Sequence, residues 1–226
     1  MSKLSRGNKG EALVIKELNK IKVYHHLINN FNYVNPRSNS SHQIDHILIH
    51  PYGIFVIETK NYYGEIINDT DDVFWLKKIG DKTKHISNPI KQNKSHSLIV
   101  NNLLSKEYDV ISVIVFVKNN CPYTGNDNVI NLNDLLLMIE SYPYKRILNK
   151  ETIDKIYKIL LTFHSELDLK THLESIERIK RKKEDNKENM AYAIESGLCP
   201  MCGAKLHIIK DSYSCPKCKY KFDLSR

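Results

Sequence analysis

Residues 43–60, QIDHILIHPYGIFVIETK, permit few arrangements of the chain. Segment 43–50 alternates as a half-buried strand does, and 53–60 is a denser apolar run. Pro51-Tyr52-Gly53 supplies a tight turn between them, so the two strands are expected to pair as a hairpin. Side chains alternate along a strand, which places Ile54, Val56, Glu58 and Lys60 on one face. Asp45 shares a face of the neighbouring strand with Ile47 and Ile49, and closing the turn at Tyr52 brings it approximately opposite Glu58. A carboxylate and an ammonium leaving an apolar strand side by side are costly unless something pairs them. Two carboxylates that close repel, and a divalent cation is the usual resolution. Taken alone, Glu58 and Lys60 read better as a plain surface pair, and only with Asp45 and an inward Glu11 does a functional site become the better reading.

The flanking segments supply the rest of a domain. Residues 6–22 read as a helix in which Ala12, Val14, Ile15, Leu18 and Ile21 form an apolar stripe. Glu11 lies on that stripe and so points inward, although a first-turn acid favoured by the helix dipole is the plainer alternative. A short strand is expected near Val73–Lys77, with Trp75 in the core. Asn88 and Pro89 have the residue types of an N-cap and a first helical position, for a helix running to about Leu104. Val110–Val117 reads as a buried strand, and helices are expected at 132–141 and 152–167. His46 and His50 fall on the strand face away from Asp45 and read as packing or surface residues. Cys121 reads as an ordinary unpaired thiol.

Beyond Leu169 the composition shifts to a charge-rich run that joins two modules as a solvated helix or linker. The expected organisation is a domain at 1–168, a linker at 169–196 and a small module at 197–226. In that last module Cys199 and Cys202 form one CxxC pair and Cys215 and Cys218 another, twelve residues apart. Four thiolates in two tight knuckles suit one tetrahedral Zn²⁺, and a site filled by sulfur is structural because no position is left for water. Gly203 tolerates the left-handed backbone that completes the first knuckle. The segment between the pairs reads as a short hairpin, giving a zinc ribbon. Its tyrosines and phenylalanine either stack on unpaired bases or pack the ribbon's own small core.

The chain carries 34 Lys and Arg against 26 Asp and Glu, a formal net charge of +8. Residues 170–226 account for +5 of it. This points weakly to an anionic partner, with nucleic acid first among them. No apolar run is long enough to cross a membrane, and the N-terminus lacks a secretion signal. A cytoplasmic location is therefore expected, with no membrane partner.

The segments GNKGEALV, QIDHILIHPYGIFVIETKNYYGEI and NPIKQNKSH together resemble the nuclease-related domain (NERD) family, over roughly residues 5–120. That family belongs to the PD-(D/E)xK, restriction-endonuclease-like superfamily, and some members similarly carry a C-terminal topoisomerase-type zinc ribbon. Ile44 stands where the superfamily's name places proline, a change the family tolerates. The resemblance implies an α/β, restriction-endonuclease-like fold with a mixed central sheet flanked by helices, plus the small ribbon. It implies Mg²⁺- or Mn²⁺-dependent hydrolysis of phosphodiester bonds, with DNA preferred over RNA. Asp45 and Glu58, with the Thr59 carbonyl, would hold the metal, Lys60 would assist the attacking water, and Glu11 would be a further metal or water ligand. Gln92, in the first turn of its helix, would meet a phosphate, and His96 shares its face either as a substrate contact or as a satisfied histidine. Two alternatives are a nucleic-acid-binding protein that uses the nuclease fold as a scaffold and a zinc-ribbon adaptor. A homo-oligomer or a protein partner through the ribbon is compatible with either.

Overall fold

The computed structural model of the chain describes residues 3–68, 74–122, 124–126, 128–165, 181, 184–185, 191, 193–200, 203–209, 212–219 and 221–223. The chain divides into two compact units, Met1–Glu166 and Leu167–Arg226. The first unit opens with helix α1 (Lys3–Leu18) and strands β1 (His26–Val34), β2 (Ser41–His50) and β3 (Gly53–Lys60). Three short strands follow, β4 (Glu65–Ile67), β5 (Phe74–Ile79) and β6 (Lys82–Ser87), and then helix α2 (Pro89–Leu103). Strands β7 (Val110–Phe116) and β8 (Val129–Asn131), a single 3₁₀ turn, and helices α3 (Leu135–Glu140) and α4 (Lys150–Phe163) complete it.

The expected hairpin is present. β2 and β3 pair antiparallel with Ile49 opposite Ile54, Ile47 opposite Val56 and His46 opposite Ile57. β1 adds to the outer edge of β2, while β7 joins the other side of β3 in parallel and β8 extends it. The result is a mixed five-stranded sheet in the order β1-β2-β3-β7-β8.

Alternation along β3 sends its side chains to two cores. Ile54 and Val56, with Ile47 and Ile49, pack under Val100 and Leu104 of α2 and Ile153, Ile156 and Leu160 of α4. Phe55 and Ile57 pack on the other face with Val14 and Leu18 of α1 and Leu135 and Ile139 of α3. Helices thus cover both faces, as the parallel half of such a sheet requires.

Two details fix where the helices end and sit. α1 stops at Leu18 rather than running to 22, because Lys20 and Ile21 turn their N–H groups back to Glu17 and Leu18 in a tighter turn. α2 begins as its sequence requires: the Asn88 side chain accepts from the N–H groups of Ile90 and Lys91, at 2.9 and 3.4 Å. One turn further, the buried Asn93 amide nitrogen lies 2.8 Å from the Val56 carbonyl and 3.0 Å from that of Val113. That amide bolts α2 across the seam between β3 and β7.

The strands β4–β6 form their own antiparallel sheet. It is seated through Trp75 and Ile66, which pack with Ile114, Phe116 and Val129, the Trp75 ring stacking 6.4 Å from that of Phe116.

In the second unit, β9 (His207–Ile209), β10 (Ser212–Ser214) and β11 (Lys221–Asp223) make a three-stranded antiparallel sheet. The hairpin expected between the two cysteine pairs is β9–β10. Most of the segment expected as a charged linker lies outside the described residues. No helix among the described residues is long and apolar enough to cross a membrane.

Candidate active site and metal centre

The last three residues of β3 carry the site because they lie beyond its ladder with β2. The β2–β3 ladder reaches His46 and Ile57, and at the next level the Asp45 side chain takes over, accepting the Thr59 N–H at 2.8 Å. β1 is interrupted at the same level: Asn29 faces His46 and Phe31 faces Ile44, while Asn30 between them adopts φ of 52°.

Glu58 and Lys60 are both buried, 3% and 8% exposed, on the face that carries α2. Lys60 Nζ donates to Glu58 Oε1 at 2.6 Å and to Gln92 Oε1 at 3.1 Å. Gln92 Nε2 donates to the same Glu58 oxygen at 2.8 Å. Gln92 therefore closes a triangle with the two strand residues. Its backbone N–H donates to the Asn88 carbonyl at 3.2 Å. His96, one turn along α2, is buried with Nδ1 3.5 Å from Glu58 Oε2.

Charge in this group is unevenly distributed. Burial alone would raise the Glu58 carboxyl, but the Lys60 ammonium and His96 outweigh it and hold the pKa at about 2. Burial also opposes the charged form of Lys60, yet Glu58 beside it keeps the ammonium protonated and its pKa raised. Asp45 has no such cation of its own. Burial and the charge of Glu58 push it well above the usual carboxylate range, against the Thr59 N–H and Lys60. Glu11, on the α1 side, is half-buried and raised by that burial and by Glu58. It thus shares a field with the two strand acids.

Glycine at position 10 is what lets α1 come this close. A β-carbon there would stand 2.9 Å from Asn61 Cβ, closer than real β-carbon contacts come, and 3.2 Å from Thr59 Cγ2, tighter than nearly all of them. Gly10 and Asn93 had no place among the expected site residues. The signal for Gly10 was a glycine inside an amphipathic helix, where it costs about 1 kcal/mol against alanine and so implies a close approach.

The donor set suits a hard divalent cation. Carboxylates and a strand-end carbonyl are the ligands Mg²⁺ and Mn²⁺ prefer. Glu58 Oε2 is buried and makes no hydrogen bond, and Asp45 has its charge opposed by a neighbouring carboxylate. Among the described residues, the acids do not form a three-ligand nest with oxygens within 4.8 Å of one another. Beside the group, a cleft of about 340 Å³ opens along Thr59 and Lys60 toward Tyr62, Tyr63, Lys77 and Lys84.

His46 and His50 are held by partners outside the triangle. His46 is buried with Nδ1 2.8 Å from Asn29 Oδ1, and His50 accepts the Tyr52 N–H at 3.2 Å. Burial lowers both to about 4, so each is neutral at physiological pH. Cys121 is a free thiol held near the Val129 carbonyl, with burial raising it to about 11.

In the second unit Cys199, Cys215 and Cys218 converge with their sulfurs within 4.8 Å of one another. Cys199 Sγ and Cys218 Sγ are 3.6 Å apart. A disulfide would need about 2.05 Å, whereas a tetrahedral zinc with Zn–S near 2.3 Å sets sulfurs about 3.8 Å apart. The cluster is consistent with a structural zinc site. Each knuckle turns on a left-handed residue just after its second cysteine position, Gly203 at φ 70° and Lys219 at φ 63°. Cys202 lies outside the described residues.

A family model described as nuclease-related domain matches residues 6–117, which span α1 through β7. An uncharacterized protein of Bacillus anthracis is 33% identical over 163 residues, covering 69% of this chain and 76% of the relative. No solved structure matches the chain.

Proposed function

Because the chain belongs to the nuclease-related domain family, we propose that it is a metal-dependent nuclease that hydrolyses phosphodiester bonds of DNA. The observation that carries this reading is the buried Glu58–Lys60–Gln92 triangle next to Asp45, at the mouth of a cationic cleft. A purely structural strand end would gain nothing from burying a carboxylate oxygen without a hydrogen bond beside a second, repelled carboxylate.

Asp45 and Glu58, with the Thr59 carbonyl, are the ligands we assign to Mg²⁺ or Mn²⁺, and Glu11 is an outer partner. A divalent ion there would lower the pKa of a water and neutralise charge on the phosphate. Lys60 orients that water and stabilises negative charge as it builds on the phosphate. Gln92 keeps the Lys60 ammonium and the Glu58 carboxylate in register, so neither has to find its place when substrate arrives. In the PD-(D/E)xK pattern these are the D, the E and the K. The second unit, with Cys199, Cys202, Cys215 and Cys218 as zinc ligands, assists nucleic-acid binding as a ribbon.

The test is cleavage of plasmid and single-stranded DNA in Mg²⁺, Mn²⁺ or EDTA, beside Asp45→Ala and Lys60→Ala. Activity is expected with metal only and is lost in both variants. Cleavage that survives both substitutions would place the chemistry elsewhere and overturn the assignment.

A further inference from the structure

The cleft beside Lys60 has one wall built from the small β4–β6 sheet. Along one face of that sheet Trp75 lies opposite Ile86, then Lys77 opposite Lys84, then Ile79 opposite Lys82. The inner end of the face is anchored in the core through Trp75. Further out the same face turns cationic, and Lys77, Ile79 and Lys84 line the cleft. Two ammonium groups directly opposite on paired strands repel, so this arrangement lowers stability unless an anion lies between them. Among the described residues no acid lines the cleft, and neither Lys77 nor Lys84 has an acidic partner. The third lysine, Lys60, is already neutralised by Glu58.

The facing wall is aromatic. The Tyr62 ring lies between two cations, 6.0 Å from Lys60 Nζ and 5.6 Å from Lys77 Nζ. Tyr63 is 53% exposed, with Lys118 Nζ 4.9 Å from its ring centroid. Both rings stand on a fastened loop. Asn120 Nδ2 donates to the carbonyls of Tyr62 and Gly64 at 3.0 and 2.8 Å. Gly64, at φ 90°, lies so close to the Lys78 carbonyl that no side chain fits. Alternating ammonium groups and open aromatic rings match a phosphate backbone with unstacked bases. At about 340 Å³ the cleft is near the lower end of ligand-binding cavities, a size closer to an unpaired strand than to a double helix.

We propose that this cleft is a binding channel for single-stranded nucleic acid, with phosphates between Lys77 and Lys84 and a base against Tyr63. The channel leads past Thr59 to Asp45, Glu58 and Lys60, and in that last step it rests on the nuclease reading above. It narrows the substrate class to unpaired strands, overhangs and frayed ends.

Binding of the full chain to a labelled 20-nucleotide single strand, the same sequence as a blunt duplex, and its RNA equivalent is measured by anisotropy in EDTA. The single strands are expected to bind at least about tenfold more tightly than the duplex, with RNA close to DNA, because stacking and phosphate contacts tolerate both. Lys77→Ala/Lys84→Ala should weaken single-strand binding about tenfold or more and reduce the salt slope by about 1.4, the value for two lost contacts. Tyr63→Ala should weaken it about tenfold while leaving that slope unchanged. Duplex bound as tightly as single strand, or lysine variants indistinguishable from the parent, would overturn the channel. Cleavage by the same proteins in Mg²⁺ separates the two readings. Tight, lysine-dependent binding without cleavage of any substrate would sink the nuclease assignment alone, and cleavage without lysine-dependent binding would sink the channel alone.

Discussion

Lys60 Nζ and Glu58 Oε1 lie 2.6 Å apart, both almost shut off from water, and Gln92 touches both. In the metal-free protein each therefore stabilises the other's charged form. Breaking a buried pair by removing one partner costs about 3–5 kcal/mol, because the partner is left charged and unpaired. Lys60→Met should destabilise by that order in thermal or urea unfolding. Glu58→Gln/Lys60→Met should lose much less than the two single changes combined. Additive losses would mean the pair is not coupled.

Asp45 separates stability from activity. Its folded pKa is raised by burial and by Glu58, so its charge opposes folding as pH rises above 3.8 and through the folded value. Asp45→Asn keeps an oxygen for the Thr59 N–H and removes the repelled charge. We expect a higher Tm in EDTA at neutral pH, together with a loss of nuclease activity of about 10²-fold or more. Mg²⁺ or Mn²⁺ should raise the Tm of the parent and leave that of the variant where it is. A variant less stable than the parent in EDTA would contradict the repulsion inferred here.

Acid should weaken the fold through two buried histidines before Glu58 titrates. His46 and His50 have folded pKa values near 4 against 6.5 for an exposed imidazole. Their contribution is fully present above pH 6.5 and is lost as pH falls toward 4, because the unfolded chain takes up protons first. Between those values stability should fall by up to about 2 kcal/mol per pH unit. Glu58 adds its loss only between about pH 4.5 and 2. Urea unfolding of Asp45→Asn at stepped pH, where the opposing carboxyl is gone, reads the slope, and a flat profile from pH 7 to 5 in that variant would exclude buried neutral histidines.

Gly10→Ala tests the packing of α1 on the strand end. The new methyl must displace Asn61 or Thr59, at a cost of about 1–3 kcal/mol for overpacking. Alanine returns about 1 kcal/mol through helix propensity, so the net change in stability should be small. Activity should fall about tenfold or more, because a shift well under 1 Å moves Glu11 and the Thr59 carbonyl together. Unchanged turnover would show that α1 does not position the site.

Zinc content gives an independent check on the second unit. About one zinc per chain is expected in reduced protein, lost in Cys199→Ser or Cys215→Ser. Removing it should unfold the ribbon while leaving the first unit's unfolding transition in place. Reduced protein without zinc would leave the sulfur cluster without a reason to converge.

How far the sequence revealed these features depended on whether a single local rule governed each one. The β2–β3 register was legible because a tight turn and two alternating strands leave one pairing, and it carried Asp45 to Glu58 with it. Asn88 before Pro89 was legible as a cap for the same reason. β1 was not: HLINNFNYV breaks its alternation with asparagines at 29, 30 and 32, and it becomes a strand by pairing with β2. Gln92 stood in the expected set, but its contacts lie with Glu58 and Lys60, partners 34 and 32 residues away that no local pattern encodes. Asn93 was invisible because a helix-face asparagine looks like surface until the seam it bridges is built.

The Trp75–Phe116 stack has a consequence for how such a protein can diversify. It roots the β5–β6 arm in the same cluster that supports the end of β7, whereas the turn at Gly80, with φ of 57°, has nothing against it. Insertions or charge changes at that tip can lengthen or retune the arm without disturbing its root. On the proposed reading, relatives can therefore vary the arm while the strand-end group stays fixed, so divergence should be sought at the tip of this arm before the strand end.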